Sequence, residues 1–325
     1  MLVDREGLGD VILKAPFLRA LRQAFPAHAV WWIATHQSSM ADDLRPLFAA
    51  DVAQVITHAA LDGAPGPLLK RLKALGRFDL VFDSRTKLST VALARFGLEH
   101  RRFYCCLPGH LLSDGDARAA GPRPRHIAGR MLSMLSSATG RPPPAPSWLT
   151  PSTEAAAEAQ ALLPDGPTYV GIAPGSRQPN KNWPLDRFAA CAAALAARAV
   201  TPVFLLGPQE LDVQATIAAA APTALIVKAL AEVRRPGHSL DTLIARGRRL
   251  AVLLANDNGV GHLVGASGVP VVSLFGPTDP RRWAPVAPAN MILEARQFGA
   301  SRDIANIPAD AVVKAVMGVI ERQGE

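Results

Sequence analysis

Short apolar runs alternate along this chain with longer stretches rich in alanine and leucine. Apolar runs of four to six residues are typical of parallel strands buried on both faces, and the alanine-rich stretches between them are typical of helices. The same alternation occurs in both halves of the chain. The predicted strands are Met1–Asp4, Ala29–Ala34, Ala53–Thr57, Leu80–Asp83, Arg102–Cys105, Tyr169–Ala173, Pro202–Leu206, Ala224–Val227, Leu250–Leu254 and Val271–Phe275.

A proline-rich segment separates the two halves. Four of the five residues from Pro142 to Pro146 are proline, which excludes a helix and gives a stiff, extended linker. On each side of it the pattern indicates a doubly wound α/β domain with a parallel sheet. We predict two Rossmann-like domains, residues 1–147 and 148–325, with the last helix free to pack back on the first domain.

The composition agrees with two globular domains. A length of 325 residues suits two domains of about 150 residues, and 49% apolar residues are enough for two cores. No run is long enough to span a membrane, and acidic residues interrupt the N-terminus where a signal peptide would be apolar. The three cysteines fit neither a disulfide framework nor a zinc site. We therefore expect a cytoplasmic protein.

The net charge of +8 is concentrated in the first half of the chain. Residues 1–150 contain 19 Lys and Arg against 12 Asp and Glu, whereas residues 151–325 contain 16 against 15. This excess has two interpretations: a general preference for arginine, or a partner that carries acidic groups, including an anionic membrane surface. Nucleic acid is the less expected partner, because no aromatic residues are interleaved with the arginines and no binding motif is present.

Two common nucleotide-binding classes are disfavoured. The segment Gly7-Leu8-Gly9-Asp10-Val11-Ile12 lacks the third glycine of the dinucleotide fingerprint and places Asp10 where a pyrophosphate would approach. The chain also lacks a Walker sequence. The pattern that remains is two Rossmann-like domains that face each other with a ligand between them.

The loop that follows the first predicted strand is a candidate site. Asp10 is expected at the N-terminus of a helix that begins in this loop. Aspartate caps helices well, so a purely structural role explains it as readily as a catalytic one.

A second candidate loop follows Ala173 and runs to Pro184. It brings together the hydroxyl of Ser176 and the cations of Arg177 and Lys181, which would suit a diphosphate leaving group. The alternative is a solvated loop whose Trp183 fills the core.

Two further loops follow neighbouring strands near the C-terminus, at Asp257-Asn258-Gly259-Val260-Gly261-His262-Leu263 and at Phe275-Gly276-Pro277-Thr278-Asp279-Pro280. A buried strand that ends in a glycine-containing turn before a helix offers backbone N–H groups to an anion. Asp257 would repel phosphate and is better suited to sugar hydroxyls. For His262, packing beneath the loop is the alternative to a role in chemistry.

Taken together, these motifs resemble glycosyltransferase family 9, the lipopolysaccharide heptosyltransferases. The family's opening motif is similar to Leu8-Gly9-Asp10 with Pro16 in this chain. The family's middle motif is similar to Pro174-Gly175-Ser176 with Lys181-Asn182-Trp183-Pro184. The closing motif is similar to Asp257-Asn258-Gly259 with His262-Leu263 and the Phe275–Pro280 segment. The family commonly has Ser or Thr where this chain has Asn258.

The resemblance implies a GT-B fold and an inverting, metal-independent transfer of heptose from ADP-heptose to the lipopolysaccharide inner core, with no cofactor. Asp10 would be the general base, and Lys181 would stabilise the departing diphosphate. Donor binding would involve Ser176, Arg177, Lys181, Asp257, Asn258, Gly259, His262 and Thr278.

The acidic inner core implied as the acceptor would need cations, and the first half of the chain supplies them. Arginine binds carboxylates and phosphates bidentately, and the segment from His100 to Arg130 is rich in arginine. We expect acceptor contacts from Arg85, Lys87, Arg123, Arg125 and His126, the alternative being a mobile surface loop with solvated charges. Peripheral contact with the inner face of the inner membrane would use the same excess of charge.

The sequence is also compatible with two other functions. One is a GT-B transferase that uses a different nucleotide-sugar for another glycan or a protein acceptor. The other is a non-catalytic protein that binds nucleotide-sugars or acidic glycans, which would not need Asp10.

Overall fold

The chain divides into two compact units, Met1–Ser147 and Trp148–Glu325. The structure is a computed structural model, and it describes residues 1–114, 122–207, 210, 212–228 and 238–323. Each unit has its own parallel sheet and its own core of buried apolar side chains.

The first unit is built on a five-stranded parallel sheet in the order β3-β2-β1-β4-β5. The chain reverses direction across the sheet between β1 and β4, which creates a switch point where ligands commonly bind in folds of this type. The strands are β1 (Leu2–Val3), β2 (Trp31–Ala34), β3 (Gln54–Ile56), β4 (Arg77–Asp83) and β5 (Glu99–Cys105), and the helices are α1 (Leu8–Ile12), α2 (Ala15–Ala24), α3 (Pro65–Ala74), α4 (Leu88–Gly97) and α5 (Ile127–Thr139).

The second unit contains a six-stranded parallel sheet in the order β11-β10-β9-β6-β7-β8. Its strands are β6 (Thr168–Ala173), β7 (Val200–Leu206), β8 (Leu225–Lys228), β9 (Val252–Asn256), β10 (Val271–Phe275) and β11 (Asn290–Glu294). Its helices are α6 (Thr153–Leu162), α7 (Leu185–Ala196), α8 (Gln214–Ala220), α9 (His238–Gly247), α10 (Gly259–Gly265), α11 (Pro280–Trp283) and α12 (Ala309–Glu321). Here the switch point lies between β6 and β9, which pair directly.

The ten predicted strands are all present, and the differences have physical reasons. The strands β4 and β5 begin three residues earlier than predicted. Their first residues are exposed charged side chains and partly buried ones, so they do not belong to the continuous apolar run on which the prediction was based. The prediction missed β11, an edge strand that is only half-buried along its whole length. A strand at the edge of a sheet lacks the continuous apolar run that is typical of a central strand.

The last helix, α12, packs against α7 and the strands β9 to β11 of its own unit. Its buried face consists of Val312, Val313, Val316 and Val319. Its predicted return to the first domain stays a prediction. Within the ranges that the structure describes, no helix combines the length and apolar character needed to cross a bilayer.

Candidate functional site

The loops of the second candidate motif and the closing motif meet at the switch point of the second sheet. The strands β6 and β9 are in register at Ala173 and Ala255, so their carboxyl ends lie side by side. Asn256 joins the loops that follow: its Oδ1 accepts a hydrogen bond from the backbone N–H of Trp183 at 3.2 Å, and its Nδ2 donates to the carbonyl of Pro174. The sequence analysis did not single out Asn256, because a buried asparagine at a strand end has no motif of its own.

Trp183 anchors the same loop from below. Its ring is 2% exposed, packs edge-on against Phe188, and donates from Nε1 to the carbonyl of Ile307 at 2.9 Å. The structural role considered for Trp183 is therefore present. A rigid anchor at this point fixes the backbone on which Lys181 lies.

Asp257 is the centre of a polar cluster at this edge. Its Oδ2 accepts hydrogen bonds from Lys181 Nζ and from Thr278 Oγ1, both at 2.7 Å. His262 Nε2 lies 3.8 Å from the other oxygen, Oδ1. Lys181 and Thr278, which lie 76 and 21 positions from Asp257 in the sequence, thus converge on its carboxylate.

The cluster keeps Asp257 ionised. Burial by itself raises the pKa of the Asp257 carboxyl, but its polar neighbours His262, Lys181 and Thr278 outweigh burial and lower that pKa to about 2. An ammonium group has three N–H donors, so Lys181 can hold Asp257 and still offer N–H groups to a second anion.

Asn258 caps α10 and ties that helix to the loop after β6. Its Oδ1 accepts the backbone N–H of Gly261 at 2.8 Å, while its Nδ2 donates to the carbonyls of Gly175 at 2.7 Å and Ala173 at 3.2 Å. Serine or threonine could accept the first bond but could not donate an amide pair. The cap therefore sets both the first turn of α10, where Gly259 lies, and the path of the second candidate loop.

Ser176, Arg177 and His262, the other residues predicted to bind the nucleotide-sugar donor, lie at the same edge of the sheet and differ in exposure. The Ser176 hydroxyl closes a turn by donating to the carbonyl of Gln178 at 2.9 Å, and Arg177 is exposed. His262 is buried inside α10, at 5% exposure. Within the part of the chain that the structure describes, its Nδ1 has no hydrogen-bond partner.

Glu210, on the loop after β7, is a further acidic group at this edge that the sequence analysis missed. Its carboxylate lies so close to Gly175 and Gly207 that a Cβ at either position would overlap it. Burial raises the pKa of this carboxyl. The two glycines thus make room for an acidic side chain beside the second candidate loop.

Asp10 lies in the first unit, as the third residue of α1. Its Oδ2 accepts the backbone N–H of Gly7 at 3.0 Å, so the carboxylate closes the first turn of a helix that has no capping side chain at Gly7. Asp10 is therefore not the cap residue itself but its partner three positions later. Among the described residues, its second oxygen, Oδ1, accepts no hydrogen bond, and the side chain is half-exposed.

Arg85 differs from its predicted role. Its guanidinium is buried and makes two bonds to Asp83, at 2.9 and 2.7 Å, and further bonds to the carbonyls of Leu61 and Thr90. These bonds hold the loop after β4 onto the first unit. Because its donors are used inside the protein, we leave Arg85 out of the acceptor-binding residues proposed below.

The other predicted acceptor residues are accessible. Lys87, Arg123 and Arg125 are exposed, and His126 is half-buried at the start of α5. Arg123 donates to the carbonyl of Cys106 at 3.0 Å, which holds its segment against the end of β5. Part of the arginine-rich segment, residues 115–121, lies outside the described residues. Residues 231–237, in the stretch that the family resemblance would assign to the nucleotide base, also lie outside them.

The comparison with protein families decides the assignment. The family model described as glycosyltransferase family 9 (heptosyltransferase) matches residues 68–307. The chain belongs to glycosyltransferase family 9. The match includes Lys181, Asp257 and Thr278 and begins after Asp10, so the family assignment is independent of that residue.

A curated relative agrees with the assignment. Lipopolysaccharide heptosyltransferase 3 of Escherichia coli K12 is 34% identical over 119 residues, which are 36% of this chain and 33% of that protein. The chain thus matches about a third of the length of this curated relative.

Solved structures cover nearly the whole chain. A family 9 glycosyltransferase from Veillonella parvula has a TM-score of 0.69 and 22% identity, covering 99% of this chain and 97% of its own. An E. coli heptosyltransferase solved with ADP-2-deoxy-2-fluoro heptose has a TM-score of 0.64 and 19% identity, covering 98% and 99%. The predicted GT-B fold, with two parallel-sheet α/β units, is confirmed.

Proposed function

We propose that this chain is an inverting glycosyltransferase that transfers heptose from ADP-heptose to a hydroxyl of the lipopolysaccharide inner core without a metal ion. The observation that carries the proposal is the cluster of Lys181, Asp257 and Thr278 at the switch point of the second sheet. The family assignment supports heptosyl transfer, and the solved relative with an ADP-heptose analogue supports the donor.

The second unit would bind the nucleotide-sugar. A nucleoside diphosphate leaves with negative charge, and fixed cations stabilise that charge as it develops. Lys181, with Ser176, Arg177 and the amides of Asn258 and Gly259, would contact the diphosphate. Asp257, held ionised, would accept hydrogen bonds from sugar or ribose hydroxyls, with Thr278 and His262 fixing its orientation.

The first unit would supply the base. A sugar hydroxyl is a weak nucleophile, and a positioned carboxylate that removes its proton contributes on the order of 10²–10⁴ in rate. Asp10 would use Oδ1 for this step, while the bond from Gly7 to Oδ2 holds the carboxylate in place. Lys87, Arg123, Arg125 and His126 would contact the acidic acceptor, and the basic first unit would meet the anionic inner face of the inner membrane.

Nucleotide titration tests the donor half of the proposal. By calorimetry, ADP is expected to bind the full chain more tightly than UDP or GDP. The substitution Lys181→Ala should weaken ADP binding about tenfold or more, because a charge-assisted contact to the diphosphate is lost. Lys314→Ala is the control, since Lys314 is an exposed lysine on α12.

Each alternative outcome has a distinct meaning. Selective binding of UDP or GDP would be consistent with the same fold and would show that the donor is a different nucleotide-sugar. A folded protein that binds no nucleotide would contradict the donor site, and one that binds ADP-heptose but never turns it over would support the non-catalytic alternative.

Turnover tests the catalytic half. We expect Asp10→Asn to bind ADP-heptose like the parent and to lose about 10²–10⁴ in kcat, because the amide cannot accept the proton. Asn keeps an oxygen that can accept the N–H of Gly7, so the helix is retained. Parent turnover should survive EDTA and give a product of inverted anomeric configuration by NMR. If Asp10→Asn turns over at the parent rate, Asp10 serves only the helix.

A further inference from the structure

A buried ion pair lies directly beneath the segment that carries Asp10. Glu6 is 4% exposed and Lys14 is 8% exposed, and the Lys14 ammonium donates to Glu6 Oε1. The other oxygen of Glu6, Oε2, accepts from Trp32 Nε1 at 3.0 Å and from Ser38 Oγ at 3.1 Å. Neither residue appears in the motifs on which the proposed function rests.

The backbone of Glu6 is fixed as firmly as its side chain. Its N–H donates to the carbonyl of Gln37 at 3.0 Å, and its carbonyl accepts from Ser39 at 3.2 Å. The next residue is Gly7, whose N–H holds the Asp10 carboxylate. The position of Asp10 is therefore set by a peptide unit that Glu6 anchors to the loop after β2.

Lys14 fixes the other end of the same segment. It lies two residues after the end of α1 and is the cap residue of α2, with its N–H bonded to the carbonyl of Val11 at 2.9 Å. Its ammonium also lies 6.0 Å from the centre of the Trp32 ring. The Glu6–Lys14 pair thus closes a loop of the chain with Asp10 in its middle.

Stability is a weak explanation for this pair. Two charges lose their hydration when buried, and a well-packed apolar pair of similar size is commonly as stable or more stable. A buried pair that is fully hydrogen-bonded does define geometry, and this one has every carboxylate oxygen occupied.

The pair also sets the charge around Asp10. The carboxylate of Asp10 lies near enough to Glu6 to add to the rise in the Glu6 pKa, a rise caused mainly by burial and opposed by Lys14 and Ser38. The thiol of Cys106, after β5, is a further titratable group near Lys14, and its own neighbour Asp83 is already bound to Arg85. Lys14 is thus the cation that opposes both the burial of Glu6 and the repulsion between Glu6 and Asp10.

We propose that the buried Glu6–Lys14 pair is a positioning element for Asp10, which holds the Gly7 peptide in place and balances the negative charge next to the base. This inference rests on the proposed role of Asp10 as the base. Its signature is that the two single substitutions move the protonation of Asp10 in opposite directions.

The test measures the titration of the Asp10 carboxyl in the full chain by carbon-13 NMR, and Asp10→Asn assigns the signal. For the same proteins, the fall of kcat at acid pH is measured as well. Glu6→Gln leaves the Lys14 cation unbalanced and should lower the Asp10 titration by about one pH unit. Lys14→Met leaves the Glu6 carboxylate unbalanced and should raise it by about the same amount. Both should lower kcat about tenfold or more with little change in the Kd for ADP.

Two further variants distinguish positioning from general damage. The double variant Glu6→Gln with Lys14→Met should return the titration toward the parent value, and Lys14→Arg, which keeps the cation, should stay near it. If the titration and the acid limb do not move in any single variant, the pair is structural only and the proposal fails. Where a single variant does not fold, the double variant and Lys14→Arg still have to titrate like the parent.

Failure of this inference differs from failure of the proposed function. If Asp10→Asn turns over like the parent, Asp10 is not the base and both fall. If Asp10→Asn is inactive while Glu6→Gln and Lys14→Met have parental titration and kcat, only the role of the pair is overturned.

Discussion

Asp257 shows at the scale of one residue how contacts outweigh burial. A carboxylate that loses water is disfavoured as an anion, which raises its pKa. The polar neighbours His262, Lys181 and Thr278 reverse that tendency, and the pKa falls to about 2. A charge that is held in this way is available to a ligand at any physiological pH.

The lowered pKa makes stability depend on pH in a defined direction. An aspartate that titrates near 3.9 when unfolded and near 2 when folded stabilises the folded state above the unfolded pKa, and loses that contribution as pH falls through the folded one. We expect about 2 kcal/mol at pH 5, with about half of it gone by pH 3. Urea unfolding of the parent and of Asp257→Asn over this range should show the parent losing more stability than the variant.

A parent and variant with parallel pH profiles would contradict the shift. Asp165 is a useful comparison, since Asp165 forms an exposed ion pair with Arg249. The Asp165→Asn profile should follow that of the parent closely, because solvent screens exposed pairs.

Arg85 illustrates the opposite lesson at the same scale. Its place at a strand end among cations and hydroxyls suggests a substrate contact, but its guanidinium is buried and makes four hydrogen bonds, two to Asp83 and two to backbone carbonyls. Nothing in the local sequence distinguishes a buried arginine from an exposed one. The partner carbonyl of Leu61, 24 residues away, decides the difference.

At the scale of the element, Asn258 couples a helix to a neighbouring loop. One side chain closes the first turn of α10 and holds two carbonyls at the end of β6. A serine or threonine at this position could perform only the first task. Asn258 therefore adds a link between the two loops that are proposed to bind the donor.

Two substitutions separate the tasks of Asn258. Asn258→Ser keeps a cap oxygen and loses the amide donor, whereas Asn258→Ala loses both. We expect Asn258→Ala to lower stability by about 1 kcal/mol or more and Asn258→Ser by less, while both weaken ADP binding. Thermal unfolding and calorimetry measure the two effects.

Ser152→Ala is the control for this experiment, because Ser152 caps α6 by accepting the N–H of Ala155 at 3.2 Å. That variant should lose stability without a change in ADP affinity. Equal affinities for the parent, Asn258→Ser and Asn258→Ala would show that the link to Gly175 has no part in donor binding.

At the scale of the whole molecule, the two units use one topological rule. In each sheet the strand order reverses beside the first strand of the unit, and the candidate residues follow the strands at that point. Asp10 follows β1, and Lys181 and Asp257 follow β6 and β9. Strand carboxyl ends at a switch point are open because the connections leave in opposite directions.

The uneven charge of the chain leads to a prediction about surfaces. The first half carries nearly all of the net positive charge, so the full chain should bind anionic phospholipid vesicles at low salt and lose that binding at high salt. Lys70→Gln with Arg101→Gln, both exposed in the first unit, should weaken binding about tenfold. The same measurement on neutral vesicles should show none.

Arg198→Gln with Lys314→Gln removes two exposed charges from the second unit and is the matched control. Binding that is equally weakened by both pairs, or that does not respond to salt, would contradict a membrane contact through the first unit.

The features that depend on local order can be predicted from the amino-acid sequence. Apolar runs of strand length predicted ten of the eleven strands that the structure describes, and the glycine, proline and lysine motifs led to the family and to the GT-B fold. These properties follow from residues that are near one another in the chain, where periodicity and spacing carry the information.

Tertiary structure alone decided which of these residues touch. The convergence of Lys181 and Thr278 on Asp257, the use of Arg85 inside the first unit, and the burial of Glu6 against Lys14 all join different elements. The polar neighbours His262, Lys181 and Thr278, which outweigh burial, also decided that the pKa of Asp257 falls to about 2. Such contacts depend on strand order and on solvent exclusion, which are properties of the folded chain and not of any segment within it.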